Sequence, residues 1–89
     1  MLDARRLRKR RGDTVCLFSP SMPNASPMRG TVRRVEVRGD SFTLRVAGDS
    51  DYPIEGLLAD YTEEPFGRRF VFFVGSRHAL LFLPPDPGA

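Results

Sequence analysis

The chain holds one cysteine, one histidine and no tryptophan among its 89 residues, and these scarcities exclude a good deal of chemistry. A lone Cys16 cannot close an internal disulfide, so no cross-linked framework supports the fold and a reducing, cytoplasmic setting is expected. His78 has no second His or Cys at ligand spacing, so neither a metal site nor a cofactor is expected. A thiolate nucleophile would need His78 beside Cys16, and a small buried hydrophobe is the simpler reading of that cysteine. Long apolar runs are also missing. The longest, 70–74 and 79–83, are five residues each, far below the roughly 20 needed to span a bilayer, so no membrane insertion is expected. The basic start is followed by Gly12, Asp13 and Thr14, where the apolar stretch of a signal peptide would have to begin, which argues against export.

What is present suits one small domain. Leu, Ile, Val and Phe supply 24 of the 89 residues, enough to fold, although a chain this short buries only roughly 60–65% of the surface it exposes when unfolded. Self-association is the simplest extra source of stability. Charge is unevenly spread: Arg5, Arg6, Arg8, Lys9, Arg10 and Arg11 face one carboxylate, Asp3, within residues 1–12, while residues 49–64 carry six carboxylates and no cation. Thirteen of the fourteen basic residues are arginine, the side chain whose fork suits phosphate. A basic arm of this kind is either a solvated tail or an electrostatic handle for nucleic acid.

Residues 2–11 read as a short helix with Leu2, Ala4 and Leu7 as its only apolar side chains. Thr14–Phe18 alternates as a strand, and residues 19–29, with Pro20, Pro23 and Pro27, form a loop. Two β-rich runs then flank Gly39-Asp40, a pair suited to a two-residue hairpin turn. With Arg38 opposite Ser41, Val37 faces Phe42 and Val35 faces Leu44 on an apolar side. Arg34 faces Arg45 on the polar side, a like-charge pair that Glu36 is placed to relieve. Val32 falls out of phase, which points to a bulge near Arg33. Ile54, Leu57, Leu58 and Tyr61 recur at helical spacing behind Pro53 and predict a two-turn helix over 54–61. Residues 69–83 form a second ribbon turning at Gly75-Ser76. Val71, Phe73, Leu80 and Phe82 lie on one face, and Phe70, Phe72, Ala79 and Leu81 on the other. Pro84, Pro85 and Pro87 end the sheet.

Asp60, Glu63 and Glu64 form no recognisable acid/base or metal constellation, the glycines are dispersed as turn residues, and Arg11-Gly12-Asp13 and Asn24-Ala25-Ser26 match adhesion and glycosylation motifs without an export route. The run Phe70-Val71-Phe72-Phe73 after two arginines resembles the aromatic strand of an RNA-recognition sheet, but core packing accounts for it more economically. Gly12-Asp13-Thr14-Val15 followed by Gly30-Thr31-Val32 and a tight hairpin resembles small β-barrels of the Tudor or KOW kind over about half the chain, which implies a non-enzymatic binding module. Arg6 and Arg10 have the RxxxR spacing of PilZ domains, a resemblance that implies binding of a cyclic dinucleotide. The second motif of that family has no counterpart in this chain.

The sequence therefore predicts a mainly β domain, a partly open barrel or strongly bent antiparallel sheet of about five strands with one short helix. It comprises a basic arm (1–12), one β-rich body (13–83) and a Pro-rich tail (84–89). The expected role is binding rather than catalysis: Arg5, Arg6, Arg8, Arg10 and Arg11, with Arg34, Arg38 and Arg45 on the ribbon, contact nucleic-acid phosphates. Two alternatives accompany it. One is a protein-interaction module that forms a homodimer through Phe70, Phe72, Ala79 and Leu81 and offers its acidic stretch to a protein partner. The other is a PilZ-like sensor.

Overall fold

The computed structural model describes residues 1–19, 28–48 and 51–85. Seven strands, β1 (Thr14–Phe18), β2 (Met28–Arg38), β3 (Ser41–Ala47), β4 (Tyr52–Leu57), β5 (Thr62–Glu64), β6 (Val71–Val74) and β7 (Ala79–Leu83), join one short helix, α1 (Ala4–Arg8). They form one antiparallel sheet in the order β4-β3-β2-β1-β7-β6-β5. The mainly β class with a single short helix is as expected; the strands number seven rather than about five. The loop expected at 19–29 falls mostly outside the described residues, as do part of the 48–51 turn and the end of the Pro-rich tail, and β2 already begins at Met28.

The first ribbon has the expected register. Arg38 pairs with Ser41, Val37 with Phe42, Val35 with Leu44 and Arg34 with Arg45, and the ladder shifts between Val32 and Arg34. Gly39 turns the hairpin at φ 58°, a backbone state that costs a glycine nothing. Strand β2 is paired on both edges: Met28–Thr31 with β1 and Thr31–Arg38 with β3, the second ladder carrying the bulge. Strand β1 is central, because its other edge pairs with β7 from Thr14↔Leu83 to Phe18↔Ala79.

The helix expected over 54–61 is instead β4 followed by a single 3₁₀ turn, Leu58–Asp60. Ile54 points inward opposite Leu44, while Leu57 is 57% exposed. Strand alternation followed by one tight turn thus reproduces the i, i+3, i+4, i+7 spacing without a helix. Pro53 is tolerated because β4 is an edge strand and its missing N–H deprives no neighbour.

The two edge strands, β4 and β5, are consecutive in the chain, and the 3₁₀ turn carries the backbone from one edge to the other. The curled sheet thus remains open along one seam. Tyr61, 2% exposed, lies there, edge-on to Phe42 at 5.4 Å between ring centroids. Gly56 of β4 and Gly75 of the β6–β7 turn flank its ring so closely that a Cβ on either would sit 2.8 Å or 2.6 Å from it. Asp60 ties the same seam by accepting hydrogen bonds from the Ser76 hydroxyl (3.0 Å) and amide (3.4 Å). Phe73, Phe82, Leu80, Leu44 and Val15 fill the interior, all fully buried.

Leu2 and Leu7 of the basic arm are buried in this core. Asp3 caps α1 by accepting from the Arg5 amide at 2.8 Å, and the Leu2 amide donates to the Leu58 carbonyl at 2.9 Å. A helix of five residues has almost no stability alone; these two leucines and that backbone bond hold it in place.

Candidate nucleic-acid interface

Docking of α1 fixes the arginines of the basic arm in two groups. Leu7 turns inward, and Arg6 reaches across to β5, where its Nε–H and Nη2–H donate to Glu63 Oε1 at 3.0 Å and 2.8 Å. Arg10 is largely buried, with Nη1 3.1 Å from Asp13 Oδ2 and Nε–H donating to the Arg6 carbonyl at 3.2 Å. Two of the expected anion-contacting arginines therefore already hold carboxylates of their own chain. Arg5, Arg8 and Arg11 form no ion pair among the described residues and are exposed.

Asp13 is buried at 6% exposure. Burial pushes its carboxyl above the ordinary range, and the Arg10 guanidinium only partly offsets this. The Asp13–Arg10 contact is an ion pair by distance without hydrogen-bond alignment, because Asp13 Oδ2 has no hydrogen-bond partner. Burial likewise raises the Tyr61 hydroxyl, with the Asp60 carboxylate adding to it.

On the outer face of the ribbon, Glu36 lies between the cross-strand arginines, with Arg34 Nε at 3.2 Å and Arg45 Nε at 3.8 Å. The like-charge pair is relieved as expected. Arg38 has no ionic partner among the described residues, and with Arg45 it borders a shallow hollow of about 190 Å³. The arm arginines Arg6 and Arg10 and the ribbon arginines Arg38 and Arg45 line different hollows.

A different set of residues completes the arm's site. Arg6 and Arg10, the pair that carries the PilZ resemblance, line a groove of about 500 Å³ together with Phe66, Arg68, Arg69 and Phe70. The last four belong to the 65–70 loop between β5 and β6, which turns at Gly67 (φ 71°). Arg68 and Arg69 are exposed, with no ion pair among the described residues. The sequence did not single them out as site residues, because they merge there into the run preceding an apolar strand. The available signal was the pattern Phe66-Gly67-Arg68-Arg69-Phe70, in which two rings bracket two guanidinium groups on a turn.

The residues expected at a dimer interface are split. Phe72, Ala79 and Leu81 alternate with the buried Phe73 and Leu80 and lie half-buried on the outer face; Phe72 and Leu81 are in register with Cys16, whose free thiol is buried at 3% exposure. Phe70, 40% exposed, precedes β6 and lines the groove instead. Within the acidic stretch, Glu63 is held by Arg6 and Asp60 by Ser76. His78 is half-buried at the second hairpin turn, its carbonyl accepting from the Gly75 amide at 2.8 Å. Among the described residues no three His, Cys, Asp or Glu side chains gather to hold a metal, and no helix is long and apolar enough to cross a membrane. No family model, curated protein or solved structure matches the chain.

Proposed function

We propose that this domain is a non-enzymatic binding module that holds nucleic acid by its phosphates, with the groove beneath α1 as the principal contact. One observation carries the reading: the fold brings Arg6 and Arg10 from one end of the chain to Arg68 and Arg69 from the other, in a single groove. Glu63 and Glu64 share that groove. Arg6 is paired with Glu63 and Arg10 with Asp13; Glu64 accepts only from the neutral Thr62 hydroxyl, at 3.0 Å, so Arg68 and Arg69 outnumber the one carboxylate left without an ion pair, and the groove keeps a net positive charge. Arg5, Arg8 and Arg11 on the same arm extend the positive surface, and Arg34, Arg38 and Arg45 offer a secondary one. Guanidinium groups in this setting bind phosphate through paired hydrogen bonds and release counterions.

The test is a fluorescence titration of labelled RNA and DNA at two salt concentrations. Affinity should fall as salt rises, and Arg68→Ala or Arg69→Ala should each lower the slope of log K against log salt by about 1. Absence of binding at low salt, or binding indifferent to salt, overturns the proposal.

A homodimer is the second reading. The half-buried outer face that carries Phe72, Ala79 and Leu81 favours it, since an apolar sheet face is commonly covered by a partner. Light scattering at high concentration tests it, and a strict monomer removes it.

A further inference from the structure

We infer that the groove selects single-stranded over duplex nucleic acid by stacking unpaired bases on Phe66 and Phe70. The inference rests on the phosphate-binding reading above and concerns what those two rings add. Phe66 is 46% exposed and Phe70 40%, both line the groove with the four arginines, and both lie on a loop whose exposed positions a fold would ordinarily fill with polar side chains. Phe66 is steadied by Phe72, at 5.3 Å between centroids, and by Phe70 at 6.1 Å, with the planes tilted by 50° and 47°, so each ring is held in place and presents its own face.

A phenyl ring has neither a charge nor a hydrogen bond to offer a phosphate. What it offers is a face, and every unpaired base has a complementary one. In a duplex the base faces are already covered by their neighbours, so the same rings would meet only the sugar–phosphate exterior. The groove volume, about 500 Å³, lies inside the roughly 300–1,000 Å³ span of sites that enclose drug-sized molecules, so a nucleotide unit fits. Arg68 and Arg69, between the two rings in sequence and in the same groove, would hold the phosphates. Stacking on a phenyl ring does not read hydrogen-bonding edges, so what the two rings add is selection for strandedness with little preference among bases.

The experiment compares three labelled ligands of equal length at low salt: an oligothymidylate, its duplex with oligoadenylate, and an abasic strand. Each is titrated against the full chain and against Phe66→Leu and Phe70→Leu, which keep apolar bulk against Phe72 but remove the ring. The oligothymidylate should bind most tightly, and each leucine variant should weaken it roughly tenfold. The salt slope and the affinity for the abasic strand should stay unchanged. Equal affinity for all three ligands, with leucine variants indistinguishable from the parent, overturns the inference while leaving phosphate binding intact. Failure of every ligand to bind overturns the phosphate-binding reading and this inference together. Because the abasic comparison uses the unaltered chain, it discriminates between these outcomes however the variants fold.

Discussion

Tyr61 fills the open seam of the sheet only because two glycines leave room for it, and that dependence can be measured. A methyl group placed on Gly75 would lie 2.6 Å from Tyr61 Cε1 and 2.9 Å from two further ring atoms. Carbon atoms in favourable contact sit roughly 3.5–4.0 Å apart, so the ring would have to retreat by about 1 Å. It cannot retreat toward β4, because Gly56 and the Phe42 ring lie against it there. Overpacking of this kind costs about 1–3 kcal/mol. Replacing glycine also stiffens the unfolded chain, which returns about 0.4–1 kcal/mol where the backbone permits alanine. Since Gly75 does not adopt a positive φ, Gly75→Ala should destabilise by about 1–2 kcal/mol net. The sharper test is its sign in a second background. With Tyr61→Leu the obstructing ring is gone, so Gly75→Ala should become neutral or stabilising by about 0.4–1 kcal/mol. Equilibrium unfolding in guanidinium chloride, followed by far-ultraviolet circular dichroism on the parent, both single variants and the double variant, gives the coupling energy directly. A Gly75→Ala penalty that is the same in both backgrounds to within about 0.5 kcal/mol would refute the idea that the tyrosine ring imposes the glycine.

The basic arm makes a separate prediction: Leu7→Ala, at a fully buried position, should cost about 2–5 kcal/mol, whereas Arg5→Ala should stay within about 0.5 kcal/mol; equal, negligible effects in denaturant melts would mean that α1 is not docked. Asp13 supplies a pH dependence. Its folded-state pKa is raised, so the folded protein binds the proton more tightly than the unfolded chain, and stability should rise as pH falls through that raised value. Asp13→Asn should therefore match or exceed the parent in stability near neutrality and lose that advantage in acid, checked by melts across the carboxylate range. On the ribbon, Glu36→Gln releases Arg34 and Arg45 from their shared carboxylate and should tighten nucleic-acid binding with a steeper salt dependence; unchanged affinity would show that this face takes no part.

Local features of the fold were legible in the sequence, and long-range ones were not. The β2–β3 register followed from Gly39-Asp40 and strict alternation because a hairpin is decided by residues adjacent in the chain. Even the bulge at Val32 and the mediating role of Glu36 were visible there. Residues 54–61 misled because an inward Ile54, one 3₁₀ turn and a buried Tyr61 imitate helical spacing, and only the edge position of β4 reveals why Pro53 is acceptable. The docking of α1 left almost no trace, since Leu2 and Leu7 cannot establish a period. The candidate site was half visible: Arg6 and Arg10 stood out as a basic run, but their meeting with Arg68 and Arg69 depends on a strand order that no local pattern encodes. The same order places Glu63 where it occupies Arg6, which charge counting along the chain could not anticipate.

The central position of β1 bears on how the protein is made. Its residues are synthesised before both of their hydrogen-bonding partners, Met28–Thr31 and Ala79–Leu83. Until residues 79–83 have been made, the nascent chain therefore carries an open ladder beside the apolar Val15 and Leu17 that β7 closes. A product cut short before residue 79 would keep that edge available to other molecules, making premature termination a direct route to aggregation.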